Sequence, residues 1–574
     1  MARIGRQTFA LGAAGAAADR ALAELARADA GRRLWQRDAS LWTASGEERW
    51  LGWLALAEDS PATRATVAAC ERVASRAREL GLAHTLLMGM GGSSLCPDVL
   101  ARSFPAAAGH PSTLVLDSTV PAAVEAAAAR IDPARTAFVV ASKSGGTIEP
   151  NAFCAFFWER AVRALGERAA GERFVAITDP GSSLERLARE RGFGAVVAGL
   201  PDVGGRFSAL SAFGLVPAAL QGLDLADWLA RARAMARACG PDVAADANPG
   251  LRLGAAIGAL AAAGRDKLTL AISPAIASFG GWLEQLVAES TGKRGRGVVP
   301  IDGEPLPAPD RAGDDRLFVA LRLASAPDAA QDAALDALEA AGQPVVRIEL
   351  DDARDLAGEI FRFEVATAIA GAVLGVDPFD QPDVESAKVE ARALMAAYER
   401  DGALPSPAPL VRDGELAAFA DPALGEVRTL DDALARHLAR AARGDYVAIN
   451  AWVAMDAAHG AALARLRDAV ARATRVPTTL GYGPRFLHST GQLHKGGPDR
   501  AVVLQVGAAC ARDLAVPGAA YSFGVLARAQ AQGDFAVLVE RGRRALRVEL
   551  PGRESPSGDI DDLALRIARI AART

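Results

Sequence analysis

The chain is short of lysine, of cysteine and of long apolar runs, and each shortage narrows what it is. Of 64 basic residues only five are lysines, at positions 143, 267, 293, 388 and 495. Arginine serves the surface, so the remaining lysines mark places where a compact point charge or a titratable amine matters. Four of the five fall inside candidate motifs, three of these Gly/Ser-rich. The five cysteines (70, 96, 154, 239 and 510) are scattered, with no CxxC and no histidine at ligand spacing. That argues for reduced, mostly structural thiols and against disulfides or zinc. Although 51% of residues are hydrophobic, no run approaches the ~20 consecutive apolar residues of a membrane span. The N-terminal stretch starts with charges and turns Ala-rich and amphipathic, with no signal-peptide cleavage pattern, so a cytoplasmic chain is expected. A net charge of −5 leaves no footprint for nucleic acid.

What is present is enough chain, 574 residues, for several domains with real cores. Residues 1–55 read as a helical N-terminal cap, with Leu22, Leu25 and Ala26 on one stripe and Trp35, Leu41, Trp42 and Trp50 as packing aromatics. From 56 to 234 a strand–helix rhythm sets in. Strand His84–Met88 runs into Gly89-Met90-Gly91-Gly92-Ser93-Ser94, strand 113–116 ends at Asp117, strand 137–140 ends at Ser142-Lys143-Ser144-Gly145-Gly146-Thr147, and strand 174–177 ends at Thr178-Asp179. Strands alternating with helices and ending in polar residues predict a parallel sheet covered on both faces. Ligands of such sheets bind outside the carboxyl ends of the strands. A second α/β domain is expected over 235–400, with strands at 268–272, 316–323 and 344–349. The stretch 403–409 reads as a linker, and 401–574 as a C-terminal α/β extension with strands at 446–452, 501–506 and 535–540.

Several residues carry candidate chemistry. The loop Ser142–Thr147 opens a helix, where backbone N–H groups, hydroxyls and the positive end of the helix dipole suit an anion; an ordinary Ser/Gly turn is the alternative. Glu289 sits at the end of a predicted helix with Gln285 one turn back on the same face. A desolvated carboxylate there is a general base, a solvated one merely surface. Arg206, in Gly204-Gly205-Arg206-Phe207-Ser208, is either an oxyanion partner or a surface cation. Lys388 lies two helical turns beyond Gln381, after Pro378-Phe379-Asp380-Gln381-Pro382. His488 and His494, two of six histidines, are candidate acids or bases near neutral pH, and their separation does not suit zinc.

Taken together, Gly89-x-Gly91-Gly92-Ser93-Ser94, Ser142–Thr147, Gly204–Ser208, Glu289-Ser290-Thr291-Gly292-Lys293 and Pro378–Pro382 through Lys388 resemble phosphoglucose isomerase in the same order. The resemblance implies two sugar-isomerase (SIS) domains, at 56–234 and 235–400. It implies a metal-free and cofactor-free interconversion of glucose 6-phosphate and fructose 6-phosphate. Gly92, Ser93, Ser142, Lys143, Ser144 and Thr147 would hold the sugar phosphate. Glu289 would move the proton with Gln285 beside it, Arg206 would stabilise the enediolate, and Gln381 and Lys388 would close the site. Bacterial members carry a Leu-His-Ser-Met-Gly-Gln stretch shortly after the catalytic glutamate, its histidine opening the sugar ring. Here no histidine follows Val298-Val299-Pro300, and the match is Leu487-His488-Ser489-Thr490-Gly491-Gln492, far downstream. With Leu34-Trp35-Gln36-Arg37-Asp38, this looks like the isomerase half of bifunctional transaldolase/phosphoglucose isomerase proteins, though no transaldolase barrel is recognisable. His488 is then the ring-opening residue and His494 its rival. A homodimer and a functional link to a transaldolase are implied as partners. Two alternatives stay open: a mannose 6-phosphate or dual-specificity isomerase, and a non-catalytic SIS sensor of sugar phosphates.

Overall fold

The computed structural model describes residues 4–405 and 407–572, apart from the side chains at 384, 385 and 387. The chain divides into two compact units. The first comprises Met1–Asp117, Ala128–Thr291 and Arg296–Asp380; the second comprises Ser118–Ala127, Gly292–Gly295 and Gln381–Thr574. The boundary expected at 400 thus falls earlier, after Asp380, because helix Val384–Asp401 packs on helix Phe523–Glu540 of the second unit. Ser406, in the stretch expected as a linker, lies outside the described residues.

The first unit is built on two five-stranded sheets. Its strands are β1 (Arg6–Ala10), β2 (His84–Met88), β3 (Ser112–Leu116), β4 (Thr136–Ala141), β5 (Phe174–Thr178), β6 (Ala195–Ala198), β7 (Lys267–Ile272), β8 (Val299–Ile301), β9 (Arg316–Leu323) and β10 (Val345–Leu350). One sheet has the order β3-β2-β4-β5-β6, all parallel, and the other β1-β10-β9-β7-β8, parallel except for β1. β4, β5 and β7 are buried along their whole length. Parallel strands covered on both faces have to be apolar throughout, and Phe138 of β4 stacks on Phe174 of β5 at 4.6 Å. Helices from around both sheets share one apolar core running from Leu11 to Phe379.

The expectation of an all-helical cap over 1–55 is corrected at its start. Residues Arg6–Ala10 form β1, antiparallel to β10 at the sheet edge. Thr8 and Phe9 suit a strand, but the partner that makes them one lies more than 300 residues away, at Arg347 and Val346. Beyond it the cap is helical, at Gly15–Arg27 and Ala30–Trp35, and its tryptophans pack. Trp42 Nε1 donates to Ala368 O at 2.7 Å, Trp42 meets Phe379 edge-on, and Trp53 stacks on Phe207 at 5.2 Å.

The second unit holds β11 (Val411–Asp413), β12 (Leu416–Ala420), β13 (Tyr446–Trp452), β14 (Thr478–Tyr482), β15 (Ala501–Ala508) and β16 (Arg544–Leu550), in the order β11-β12-β16-β15-β13-β14. The strand expected at 535–540 is instead the last turn and a half of helix Phe523–Glu540. A short apolar run does not distinguish a strand from a buried helix by period alone. The Ser522 hydroxyl caps this helix by accepting from Val525 N–H at 3.2 Å, and Gly542 at φ +68° turns the chain out of it. The strand is β16, whose three charged residues break up its apolar signal. Among the described residues no helix is long and apolar enough to cross a membrane.

Candidate active site

In the first unit, β2 and β4 are neighbours in parallel register, so the loops that follow them leave the sheet side by side. Gly91–Ser93 form a single 3-10 turn before helix Leu95–Ser103, and Ser142–Thr147 lead into helix Ile148–Leu165. Neither helix has a side-chain cap on its first amides. Uncapped N–H groups and two helix dipoles therefore gather at the carboxyl ends of two neighbouring strands, an arrangement suited to a phosphate. Ser142 is buried, and its hydroxyl donates to Thr147 Oγ1 at 3.1 Å across the loop. Ser144 is exposed, while Ser93 and Thr147 are half-buried. Gly145 takes φ +71°, and a Cβ there would lie 2.7 Å from Leu184 N. Gly92 is closer still: a Cβ would stand 1.9 Å from Gly205 O. Only glycine lets the first loop lie against the Gly204–Ser208 turn.

Lys143, expected at the phosphate, has partners within the protein. Its ammonium pairs with Asp179, at the end of β5, and donates to Leu200 O at 2.9 Å. These contacts tie the loop to the next strand end. Ser94, beside the expected Ser93, is fully buried and donates to Asp117 Oδ2 at 3.0 Å. Asp117 was legible as the polar residue straight after β3, but nothing in the sequence paired it with Ser94.

The turn pressed against Gly92 carries Arg206, which is 3% exposed. Its Nε donates to Ser290 Oγ at 2.8 Å, and its Nη2 to the carbonyl oxygens of Pro378 and Asp380 at 2.6 and 2.9 Å. Its Nη1 lies 3.5 Å from Glu289 Oε1. Glu289 and Gln285 are both buried on helix Phe279–Thr291, and Gln285 Nε2 donates to Glu289 Oε2 at 3.0 Å. Arg206 and Glu289 are therefore the buried pair and not the surface ions of the alternatives. A buried carboxylate needs partners for each oxygen, and here an amide serves one and a guanidinium faces the other. Phe207 holds the turn in place, packed between Trp53 at 5.2 Å and Phe379 at 5.1 Å. Ser290 and the two carbonyls are the participants the sequence did not disclose.

Gln381, Lys388, His488 and His494 belong to the second unit. Gln381 and Lys388 do not share a helical face: the helix starts at Val384, so Gln381 and Pro382 precede it, and Lys388 is exposed on its second turn. His488 closes the 3-10 turn Arg485–His488 and is half-buried. His494 is 2% exposed, and among the described residues neither ring nitrogen has a hydrogen-bond partner. Burial, reinforced by Lys495 and Arg543, pushes its imidazole down to about 3. Gln492 ties this loop together. Its Nε2 donates to Gly292 O at 3.0 Å and to Asp383 Oδ2 at 2.6 Å, and Asp383 N–H donates back to Gln492 Oε1 at 2.9 Å. Among the described residues no three His, Cys, Asp or Glu side chains lie so as to hold a metal ion.

The chain resembles known proteins over the parts that carry these residues. The phosphoglucose isomerase family profile matches residues 68–302. The glucose-6-phosphate isomerase of Rubrobacter xylanophilus is 30% identical over 388 residues, spanning 60% of this chain and 88% of that protein. A probable glucose-6-phosphate isomerase of Natronomonas pharaonis is 34% identical over 350 residues, 54% of this chain and 78% of that one. Among solved structures, a hypothetical protein of Thermus thermophilus superimposes with a TM-score of 0.57 at 26% identity, covering 68% of this chain and 99% of its own. A glucose-6-phosphate isomerase from Chlamydia trachomatis shares the fold, with a TM-score of 0.53 at 18% identity over 68% of this chain and 88% of that one. With the profile lying across both loops, Arg206 and Glu289, and the bacterial relative matched over most of its length, the chain belongs to the phosphoglucose isomerase family.

Proposed function

We propose that the chain interconverts glucose 6-phosphate and fructose 6-phosphate through an enediolate. The observation that carries this reading is the buried set of Arg206, Glu289 and Gln285. Glu289 takes the proton from C2 of the open-chain aldose and returns it at C1, and does the reverse for the ketose. Between the two transfers, negative charge develops on the sugar oxygens, and Arg206 is placed in advance to offset it. The backbone amide of Gly92 and the hydroxyls of Ser93, Ser142, Ser144 and Thr147 take the phosphate, which fixes where C1 and C2 sit. Positioned acid–base catalysis supplies roughly 10²–10⁴-fold, so orientation by the phosphate grip carries much of the remainder.

Ring opening is assigned to His488. His494, enclosed and held neutral down to about pH 3, has no proton to deliver near neutrality. Lys388 and Gln381 are assigned to closing the site. By its family resemblance the chain works as a cytoplasmic homodimer, which light scattering on the purified protein tests for assembly.

A coupled assay for glucose 6-phosphate formed from fructose 6-phosphate, run with and without EDTA, tests the reading. Turnover undiminished by chelator is expected. Absence of turnover defeats the assignment, and loss of turnover in chelator defeats its metal-free chemistry. Mannose 6-phosphate in parallel separates a dual-specificity enzyme.

A further inference from the structure

The sheet of the second unit changes its direction of growth between β13 and β15. From β13 the chain passes through helix Ala457–Thr474 to β14 on one side. β15 then starts on the other side of β13 and leads through helix Phe523–Glu540 to β16. Right-handed crossovers in opposite directions put these helices on opposite faces. Their divergence opens a crevice at the carboxyl ends of β13 and β15, the place where open α/β sheets take ligands. A cavity of about 300 Å³ lies there, lined by Trp452 to Ala454 after β13 and Ala508 to Arg512 after β15.

Its polar lining centres on His459, which is 4% exposed. The His459 backbone N–H donates to Asp456 Oδ1 at 2.9 Å, and Nδ1 to Asp456 Oδ2 at 2.7 Å. With Nδ1 held by the Asp456 carboxylate, Nε2 is the ring nitrogen left to meet a ligand. That Nε2 is buried with no hydrogen-bond partner among the described residues, an expensive state for a polar atom unless a ligand meets it. Arg512 and Arg553 line the same cavity. Arg512 pairs with Glu554 at 2.8 Å, and Arg553 with Glu415 and Asp559 at 2.8 and 3.1 Å. Both arginine side chains are more than half exposed, at 71% and 53%. Ion pairs so exposed are worth roughly 0–1 kcal/mol, so an oxyanion displaces them at little cost. Glu125 and Glu554, also in the lining, accept from hydroxyls.

We propose that this crevice is a second small-molecule site. It takes a hydroxylated organic oxyanion, phosphate or carboxylate, with the charge on Arg512 and Arg553 and a hydroxyl on His459 Nε2. The crevice lies within the second unit and contains none of the residues assigned to isomerisation, so either reading stands without the other.

Cys510 supplies a native reporter: it lines the cavity and is exposed, whereas Cys70, Cys96, Cys154 and Cys239 are buried. The test is the rate of maleimide labelling of Cys510 in the full chain, followed by mass spectrometry. The probes are millimolar glycerol 3-phosphate, glycerate and, as the uncharged control, glycerol. Several-fold slowing by one oxyanion or both is expected, and which one slows it identifies the charged group. Slowing should vanish in the Arg512→Ala/Arg553→Ala double variant, whose turnover of fructose 6-phosphate stays normal, and weaken in His459→Gln. No slowing by either oxyanion, equal slowing by glycerol, or full slowing in the double variant would overturn the site.

Discussion

Replacing Arg206 by lysine keeps the charge and removes the fork. The guanidinium reaches four groups in different directions: Ser290 Oγ at 2.8 Å, Pro378 O at 2.6 Å, Asp380 O at 2.9 Å and Glu289 Oε1 at 3.5 Å. An ammonium concentrates its three donors at one point, so a lysine that stays near Glu289 abandons at least two of the others. Each lost hydrogen bond to a charged donor in this buried turn costs about 1.5–3 kcal/mol, so two cost about 3–6 kcal/mol. That is a large share of the 5–15 kcal/mol that typically holds a domain together. Turnover falls for a second reason. The charge aimed at the developing enediolate moves, and removing one such donor typically costs roughly 10²–10³ in kcat. The phosphate loops are untouched, so KM for fructose 6-phosphate changes much less than kcat. Calorimetric melting and the coupled assay on Arg206→Lys read the two effects separately. A variant with wild-type melting and kcat within a few-fold of the parent refutes both the buried fork and its role.

Three further outcomes follow from particular contacts. Gly92→Ala places a Cβ 1.9 Å from Gly205 O, so the first loop has to move off the Arg206 turn; kcat/KM drops at least tenfold while far-UV circular dichroism is retained. Ser290→Ala removes one acceptor of Arg206 and lowers stability by about 1–3 kcal/mol, measured by urea unfolding. The second unit is acid-labile. Burial pushes both His437 and His494 down to about 3, so unfolding lets each take up a proton that the folded state refuses. The stability present above pH 6.5 is lost as pH falls from there towards 3, by about 1.4 kcal/mol per pH unit for each histidine. In His437→Gln or His494→Gln, urea midpoints measured across this window lose part of that slope.

The sequence disclosed side chains better than it disclosed the backbone that holds them. The loops after β2 and β4 stood out because Gly and Ser runs interrupt otherwise apolar strands, and Arg206 and Glu289 because their motifs are compact. The acceptors of Arg206 at Pro378 and Asp380 are carbonyl oxygens, which every residue carries, so no residue type announces them. The partner of Lys143, Asp179 at the next strand end, was likewise not legible, because parallel pairing of β4 and β5 brings the two together. β1 was missed because its partner β10 is supplied by tertiary structure, and the helix at 535–540 was read as a strand because so short an apolar run does not distinguish the two by period. The two histidines of the downstream loop are equivalent in sequence and differ only in burial, which the fold alone decides.

In the proposed reaction Glu289 carries the proton between C1 and C2. The most direct measurement is deuterium incorporation at C2 of glucose 6-phosphate in D2O, followed by NMR, for the wild type and Glu289→Gln. The amide keeps the shape and loses the base. Exchange and turnover are predicted to fall together by at least about 10²-fold, while fructose 6-phosphate still binds through the loops after β2 and β4. Exchange at C2 close to wild type in Glu289→Gln contradicts the assignment.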